Sequence, residues 1–217
     1  MNEIILLAVS AAFAVPADSV RYLALGDSYT IGEHVAAAER WPVQLVELLR
    51  GTGVAIADPD VIATTGWTTD ELAAGISTRA PTGPYALVSL LIGVNNQYRG
   101  GDATRYRAEF RALLSQAIGF AGGDARRVVV VSIPDWGVTR FAEGRDRAHI
   151  GREIDQFNAI ARDEAGRGGA AWLDITPLSR EPHDDWLAGD GLHPSGAQYA
   201  AWARLALPAA RRALGAQ

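Results

Sequence analysis

The 217-residue chain contains no cysteine and no lysine, and its single methionine is the first residue. The lack of cysteine excludes disulfide bonds, a thiolate nucleophile and metal sites with cysteine ligands. All basic side chains are arginine, and the formal net charge is −5. This charge argues against a protein that binds nucleic acid through concentrated positive charge, so we expect no nucleic-acid partner.

The sequence also lacks a hydrophobic run of the length that spans a bilayer, so we expect no integral membrane segment in the mature chain. A shorter, mostly apolar stretch runs from Ile4 to Ala14, and Ala17 beyond it is a small residue suited to signal-peptidase cleavage. Residues 1–17 are therefore interpreted as a signal peptide, which predicts a periplasmic or secreted protein. Glu3 departs from the positively charged start of most signal peptides, so a cytoplasmic protein is the alternative.

Residues 18–217 are predicted to form one domain, because 48% of the chain is hydrophobic and no linker or repeat interrupts it. Short apolar runs alternate with longer segments of helical periodicity. This alternation predicts an α/β fold in which helices cover both faces of a parallel sheet. The predicted strands are residues 21–25, 54–57, 86–92, 127–133 and 171–175.

Several segments between these strands carry helix signals. Pro42 suits the first turn of a helix, and Thr68 with Glu71 has the spacing of a capping box. Apolar residues at helical spacing predict two further helices, over residues 106–120 and 150–165.

A polar turn follows the first predicted strand and consists of Gly26, Asp27 and Ser28. Open α/β sheets bind ligands at the carboxyl ends of their strands, so the hydroxyl group at this position is a candidate site residue. Taken alone, the turn favours the other interpretation, in which Asp27 or Ser28 only caps the next helix, as such residues often do.

Asp190 and His193 stand three residues apart in the loop before a final predicted helix, which Ser195 and Gln198 could cap. An imidazole accepts a hydroxyl proton only when its tautomer is fixed, and a carboxylate at this spacing can reach the ring N–H that fixes it. Such a pair also arises by chance. Its position supports function, because loops that follow strands of a doubly wound sheet meet at one edge.

Acyl transfer also needs hydrogen-bond donors for the oxygen that gains charge, and two predicted strand ends offer them. Gly66 offers a backbone N–H without an obstructing side chain, and Asn95 offers a side-chain amide. A turn that requires glycine and an ordinary Asx turn are the structural alternatives for these two residues.

Taken together, these segments resemble the SGNH (GDSL) hydrolase family of serine esterases, lipases and related acylhydrolases. Its four blocks correspond, in the family's order, to residues 26–28, Gly66, residues 93–95 and residues 190–193. The resemblance implies a flavodoxin-like three-layer α/β/α sandwich with a five-stranded doubly wound sheet. It implies Ser28 as nucleophile, His193 as base and Asp190 as the residue that orients it. Ser28, Gly66 and Asn95 would form the oxyanion hole.

One departure from the family pattern is Asn96, which stands where the third block usually has Asp, and this puts the positioning of that loop in question. The chain has no GxSxG nucleophile elbow, which argues against the α/β-hydrolase family.

Four residues at predicted strand ends are candidates for substrate binding: Trp67, Asn96, Tyr98 and Trp136. We expect Trp67, beside the oxyanion hole, to be the most important of them. His34, His149 and His183 are interpreted as surface or structural residues, and neither a metal nor a cofactor is expected.

The predicted activity is hydrolysis of a small-molecule, lipid or carbohydrate ester by a Ser-His-Asp triad. An acyltransferase or a carbohydrate acetylesterase would use the same residues. A non-catalytic flavodoxin-like binding module is the alternative from a different functional class.

Overall fold

The computed structural model describes residues 19–183 and 185–216. The predicted signal peptide, residues 1–17, lies outside the described residues, as does residue 18 at the start of the predicted domain. Within the described part of the chain, no helix is both long enough and apolar enough to cross a membrane.

A five-stranded sheet forms the centre of the fold. Its strands are β1 (Tyr22–Gly26), β2 (Asp60–Ala63), β3 (Leu87–Leu91), β4 (Val128–Val131) and β5 (Ala171–Leu173). All neighbouring strands run parallel, in the order β2-β1-β3-β4-β5. β1 and β3 are buried along their whole length, in agreement with their mostly apolar sequences. The predicted α/β fold with a doubly wound parallel sheet is therefore confirmed.

The second strand was predicted at the wrong place. Residues 54–57 form only an isolated bridge, in which Ile56 pairs with Val20, and the ladder beside β1 begins at Asp60. The reason is that β2 is an edge strand: it is exposed at Asp60 and buried only at Ile62 and Ala63. Its apolar signal is consequently no stronger than that of the segment before it.

Helices cover the two faces of the sheet, because right-handed crossovers change side where the strand order reverses. The helices are α1 (Ser28–Ile31), α2 (Trp41–Gly51), α3 (Thr69–Arg79), α4 (Val94–Tyr98), α5 (Ala103–Phe120), α6 (Arg147–Gly168), α7 (Thr176–Ser179) and α8 (Gly196–Ala213). On one face α2 packs against α8, and on the other α5 packs against α3 and α6. The helices predicted around Pro42, after Thr68 and over residues 106–120 and 150–165 are all present.

The strand order reverses at β1, since the chain goes from β1 to β2 on one side and returns to β3 on the other. Such a switch point opens a crevice at the carboxyl ends of the two strands. α1 follows β1 immediately and α4 follows β3, so both helices begin at this crevice.

The turn from β1 into α1 is tightly packed. A Cβ atom on Gly26 would lie 2.1 Å from Thr30 Oγ1 and 2.5 Å from the Leu91 carbonyl oxygen, so only glycine fits there. Asp27 caps α1, because its Oδ1 accepts the Tyr29 N–H at 3.0 Å.

The Asp27 carboxyl group is fully buried, and its Oδ2 has no hydrogen-bond partner among the described residues. Burial raises the pKa of Asp27 to about 7, against the lowering effect of the backbone N–H groups that it accepts. The folded protein therefore keeps Asp27 protonated at pH values where the unfolded chain has released this proton.

The Asp27→Asn variant tests this account of the buried carboxyl group. The pKa of Asp27 rises on folding from 3.8 to about 7, so its contribution to stability is fully present below pH 4 and is lost as the pH approaches 7. The loss is at most about 1.4 kcal/mol per pH unit. Asparagine does not titrate, so the variant should lack this part of the pH dependence.

Urea unfolding of both proteins at several pH values between 4 and 8 measures the effect. We expect the free energy of unfolding of the variant, relative to that of the wild type, to increase as the pH rises from 4 to 7. A difference between the two proteins that stays constant over this range would contradict the prediction.

Candidate active site

Ser28 and His193 line one cavity of about 160 Å³ at the crevice beside β1. Ser28 is the first residue of α1, and His193 lies in the loop between α7 and α8. Both residues are buried, with 5% and 8% of their surface exposed. The fold thus brings together two residues that are far apart in the sequence, at the edge of the sheet where the sequence predicted a site.

Asp190 holds the His193 ring. Its Oδ2 lies 2.5 Å from His193 Nδ1, while its Oδ1 accepts the N–H groups of Leu192 and His193, both at 3.1 Å. Gly191 between them has a φ of 71°, which lets the chain turn tightly enough for these bonds. With the proton of Nδ1 directed at Asp190, the lone pair of Nε2 is available to another group.

The Asp190 carboxyl group is ionised in this arrangement. Its partial burial alone would raise its pKa, but the hydrogen bonds from the His193 ring and from two backbone N–H groups outweigh burial. The net effect is a lowered pKa. A negative charge is therefore present beside the imidazole, where it stabilises positive charge on the ring.

Gly66 lines the same cavity from the turn after β2. Its φ is 86°, a backbone conformation that favours glycine. The Gly66 carbonyl oxygen accepts a 2.6 Å hydrogen bond from Arg99 Nη2, and Arg99 also pairs with Glu71 at 3.3 Å. Among the described residues no acceptor is found for the Gly66 N–H, which leaves this donor free.

Asn95, in the first turn of α4, also lines the cavity. Its Nδ2 donates a 3.0 Å hydrogen bond to the carbonyl oxygen of Trp67, which fixes the plane of the amide. The amide group has two N–H bonds, so a second donor remains. Ser28 adds a backbone N–H, which has no acceptor within α1 because it is the first in that helix.

The four predicted substrate-binding residues are in different places. Tyr98 and Trp136 line the cavity, and Trp136 is fixed by a 2.8 Å bond from its Nε1 to Gln97. Trp67 is not part of the cavity lining, since its ring packs on Gly75 of α3, where a Cβ atom would lie 2.2 Å from Trp67 Cη2.

Asn96 is likewise not part of this lining, because its side chain is buried against the start of α3. Its Oδ1 accepts the Thr69 N–H at 3.1 Å, and its Nδ2 donates to Thr69 Oγ1 at 2.7 Å. The Asn96 amide therefore fixes the loop after β3 to α3. The loop is thus held in position although Asn96 replaces the Asp that is usual in the family.

Sequence reasoning missed several residues that complete the site. Phe141 and Leu192 add apolar surface to the cavity. Phe141 lies in a segment without a motif, whereas Leu192 stands between Asp190 and His193 in the last family block. His34 was interpreted as a surface or structural residue, and its side chain is in fact half exposed. However, its Nε2 lies only 3.4 Å from Asp190 Oδ2.

A larger groove of about 710 Å³ lies along α6 and β5. Trp172 and charged side chains of α6 line it, but none of the predicted site residues does. The smaller cavity at Ser28 is the candidate active site. The predicted nucleophile and base and the predicted oxyanion-hole donors all line it, whereas none of them lines the larger groove.

Comparisons with known proteins agree on the family and the fold. The model of the GDSL-like lipase/acylhydrolase family matches residues 24–201. No curated protein matches the chain. Solved structures with a similar fold include TesA, with 17% identity and a TM-score of 0.71 over 89% of this chain and 99% of that chain. The psychrotrophic esterase EstA from Pseudoalteromonas sp. has 16% identity and a TM-score of 0.66, over 91% of this chain and 100% of that one.

A third similar structure is that of Axe2, an acetylxylan esterase from Geobacillus stearothermophilus, with 20% identity and a TM-score of 0.64 over 91% of this chain and 95% of that chain. At these identities the structures show a common fold. The family match is the stronger finding, since it covers most of the chain and includes every predicted residue of the triad and the oxyanion hole. The chain therefore belongs to the GDSL-like lipase/acylhydrolase family and is a carboxylic ester hydrolase.

Proposed function

We propose that the chain hydrolyses esters of short acyl groups with Ser28 as nucleophile, His193 as general base and Asp190 as the residue that orients the imidazole. The observation that carries this proposal is the 2.5 Å contact between Asp190 Oδ2 and His193 Nδ1, beside a cavity that His193 shares with Ser28. This contact leaves Nε2 as the nitrogen that receives a proton.

In the first step the Ser28 Oγ attacks the carbonyl carbon of the ester while His193 Nε2 takes the hydroxyl proton. The carbonyl oxygen becomes an oxyanion, and the imidazole becomes an imidazolium. Asp190 remains ionised and stabilises that positive charge across the short hydrogen bond. The intermediate then collapses, and the alcohol leaves with the proton from His193.

The oxyanion is stabilised by donors that are fixed before substrate binds. We assign this role to the N–H groups of Ser28 and Gly66 and to the side-chain amide of Asn95, all of which border the cavity. Two of these donors are held in place from behind: Gly66 by Arg99, and Asn95 by the carbonyl oxygen of Trp67. Fixed donors stabilise developing charge without the cost of reorientation during the reaction.

A water molecule completes the reaction cycle. It attacks the acyl-Ser28 carbonyl carbon while His193 takes one of its protons, and collapse of the second oxyanion releases the acid and returns a proton to Ser28. These steps use side chains, backbone N–H groups and water. An alcohol in place of water would give acyl transfer with the same residues.

The size of the cavity supports a short acyl group. Its volume of about 160 Å³ lies below the range of about 300–1,000 Å³ that is usual for drug-sized ligands. Tyr98, Trp136 and Phe141 line the cavity with aromatic surface, which suits the apolar end of a short acyl group.

The predicted signal peptide at residues 1–17 supports a periplasmic or secreted location for this activity. The nature of the alcohol is left to experiment. A panel of nitrophenyl esters and acetylated sugars distinguishes a simple ester substrate from a carbohydrate one.

Replacement of triad residues tests the mechanism. Ser28→Ala should lower kcat on nitrophenyl acetate by about 10⁴-fold or more, and Asp190→Asn by about 10⁴-fold, because the nucleophile or the correct tautomer of His193 is lost. A serine-directed fluorophosphonate should label the wild type but not Ser28→Ala. Ser77→Ala is a control, since Ser77 lies on the exposed surface of α3. A Ser28→Ala variant that keeps wild-type turnover or labelling would exclude Ser28 as nucleophile.

The Phe141→Ala variant tests the role of the cavity in chain-length selection. The wild type should prefer acetyl and butyryl esters over octanoyl esters. Phe141 is 39% exposed at the cavity, so its removal opens space with little disturbance of the core. We expect the ratio of kcat/KM for octanoyl to that for acetyl esters to rise, by about fourfold for each additional buried methylene group.

Val138→Ala provides the matched control, because Val138 is 45% exposed nearby but does not line this cavity. Its chain-length profile should equal that of the wild type. If Phe141→Ala also leaves the profile unchanged, the acyl group does not bind in this cavity.

A further inference from the structure

His34 lies beside the proposed triad without a role in the hydrolysis described above. It follows α1 in an exposed turn, and its Nε2 is 3.4 Å from Asp190 Oδ2, the oxygen that also binds the His193 ring. The His34 and His193 ring centroids are 5.9 Å apart. A ring nitrogen of His34, a carboxylate oxygen of Asp190 and a ring nitrogen of His193 all lie within 4.8 Å of one another.

We propose that His34 and Asp190, with His193 beside them, form a binding site for Zn²⁺ and that the bound ion inhibits the hydrolase. Zinc binds imidazole nitrogen at about 2.0–2.1 Å and carboxylate oxygen at about 2.0–2.2 Å, in tetrahedral geometry. Two ligand atoms of such a tetrahedron are about 3.4 Å apart. The distance between His34 Nε2 and Asp190 Oδ2 matches this value.

The ligand types favour a transition metal over the abundant hard cations. Imidazole is a good ligand for zinc and copper, whereas Mg²⁺ and Ca²⁺ prefer sites made of oxygen atoms only. The site is also accessible, since 52% of the His34 side chain and 20% of the Asp190 side chain are exposed. An ion can therefore reach Asp190 from the solvent without entering the substrate cavity.

Inhibition follows from charge, and this part of the inference rests on the proposed triad. The reaction requires His193 to become positively charged, and the negative charge of Asp190 stabilises that form. A dication on Asp190 Oδ2 neutralises this charge and repels the imidazolium. Bound zinc would thus remove the main function of Asp190 even if the triad kept its geometry.

The chain offers a matched control pair on the surface of α6. His149 Nε2 lies 3.3 Å from Glu153 Oε1, nearly the same separation as in the proposed site. Within the described residues, however, no third histidine or acidic side chain has a ligand atom within 4.8 Å of both members of this pair, whereas a ring nitrogen of His193 lies that close to both His34 and Asp190. A site that depends on the three-residue cluster should therefore respond to changes at His34 and not at His149.

The experiment compares the wild type, His34→Asn and His149→Gln, all without a polyhistidine tag. Asparagine is chosen at position 34 because His34 has a φ of 62°, a left-handed conformation that asparagine tolerates well. Zn²⁺ binding is measured by isothermal titration calorimetry, with Mg²⁺ as the reference ion. Ester turnover is measured at each Zn²⁺ concentration as a fraction of the activity of the same protein without metal.

We expect one Zn²⁺ to bind per wild-type chain and to inhibit turnover, with recovery after addition of a chelator. His34→Asn should weaken Zn²⁺ binding by at least about tenfold. Loss of a residue that only hydrogen-bonds to a metal ligand already lowers metal affinity by about 10–100-fold, and His34 would be a direct ligand. The inhibitory concentration should rise by the same factor. His149→Gln should behave as the wild type, and Mg²⁺ should have no effect.

Two results would overturn the inference. Equal Zn²⁺ binding by the wild type and His34→Asn would refute the binding site. Zn²⁺ binding that depends on His34 but does not inhibit ester turnover would refute the inhibitory role. Calorimetry does not depend on catalysis, so failure of the proposed triad in the Ser28→Ala test is distinguishable from absence of the zinc site.

Discussion

The short hydrogen bond between Asp190 and the His193 ring is the interaction on which the chemistry of this site depends. It forms within a single turn of the chain, because Gly191 allows Asp190 to accept two backbone N–H groups as well as the ring. The orientation of His193 is therefore determined locally. What the rest of the fold must supply is Ser28 at the correct place, and the parallel sheet does this by starting α1 at the end of β1.

Two aspartates near the nucleophile illustrate how environment separates identical side chains. Asp190 is partly exposed and accepts several hydrogen bonds, so its pKa is lowered and it carries a charge. Asp27 precedes Ser28, is completely buried and has one unpaired oxygen, so its pKa is raised to about 7. At neutral pH Asp190 is therefore ionised, whereas Asp27 is still partly protonated.

Much of the fold was predictable because its signals are local. Continuous apolar runs such as residues 128–131 identified four strands, and capping and periodicity identified the main helices. β2 was misplaced because an edge strand buries only part of one face and has a weak apolar pattern. Ser28, Gly66, Asn95, Asp190 and His193 could be named as a set because each belongs to a short motif in the order of a known family.

The remaining parts of the site depend on side-chain directions that a sequence does not specify. Trp67 directly follows Gly66, yet its ring turns toward Gly75, while Phe141 reaches the cavity from a segment without a motif. His34 lies beside Asp190 in a turn after α1 where it adopts a left-handed backbone conformation, which the sequence does not indicate. Such placements follow from packing across the whole fold and become visible only in three dimensions.

The support behind Gly66 has a consequence for how this protein can vary. Arg99 binds the Gly66 carbonyl and pairs with Glu71, and Glu71 in turn accepts the Thr68 N–H at the start of α3. Loss of Arg99 removes the donor to the Gly66 carbonyl, and loss of Glu71 removes the acceptor of the Thr68 N–H, so the loop after β2 and the first turn of α3 are expected to evolve together. Anyone grafting or redesigning this loop should transfer Gly66, Glu71 and Arg99 as one unit.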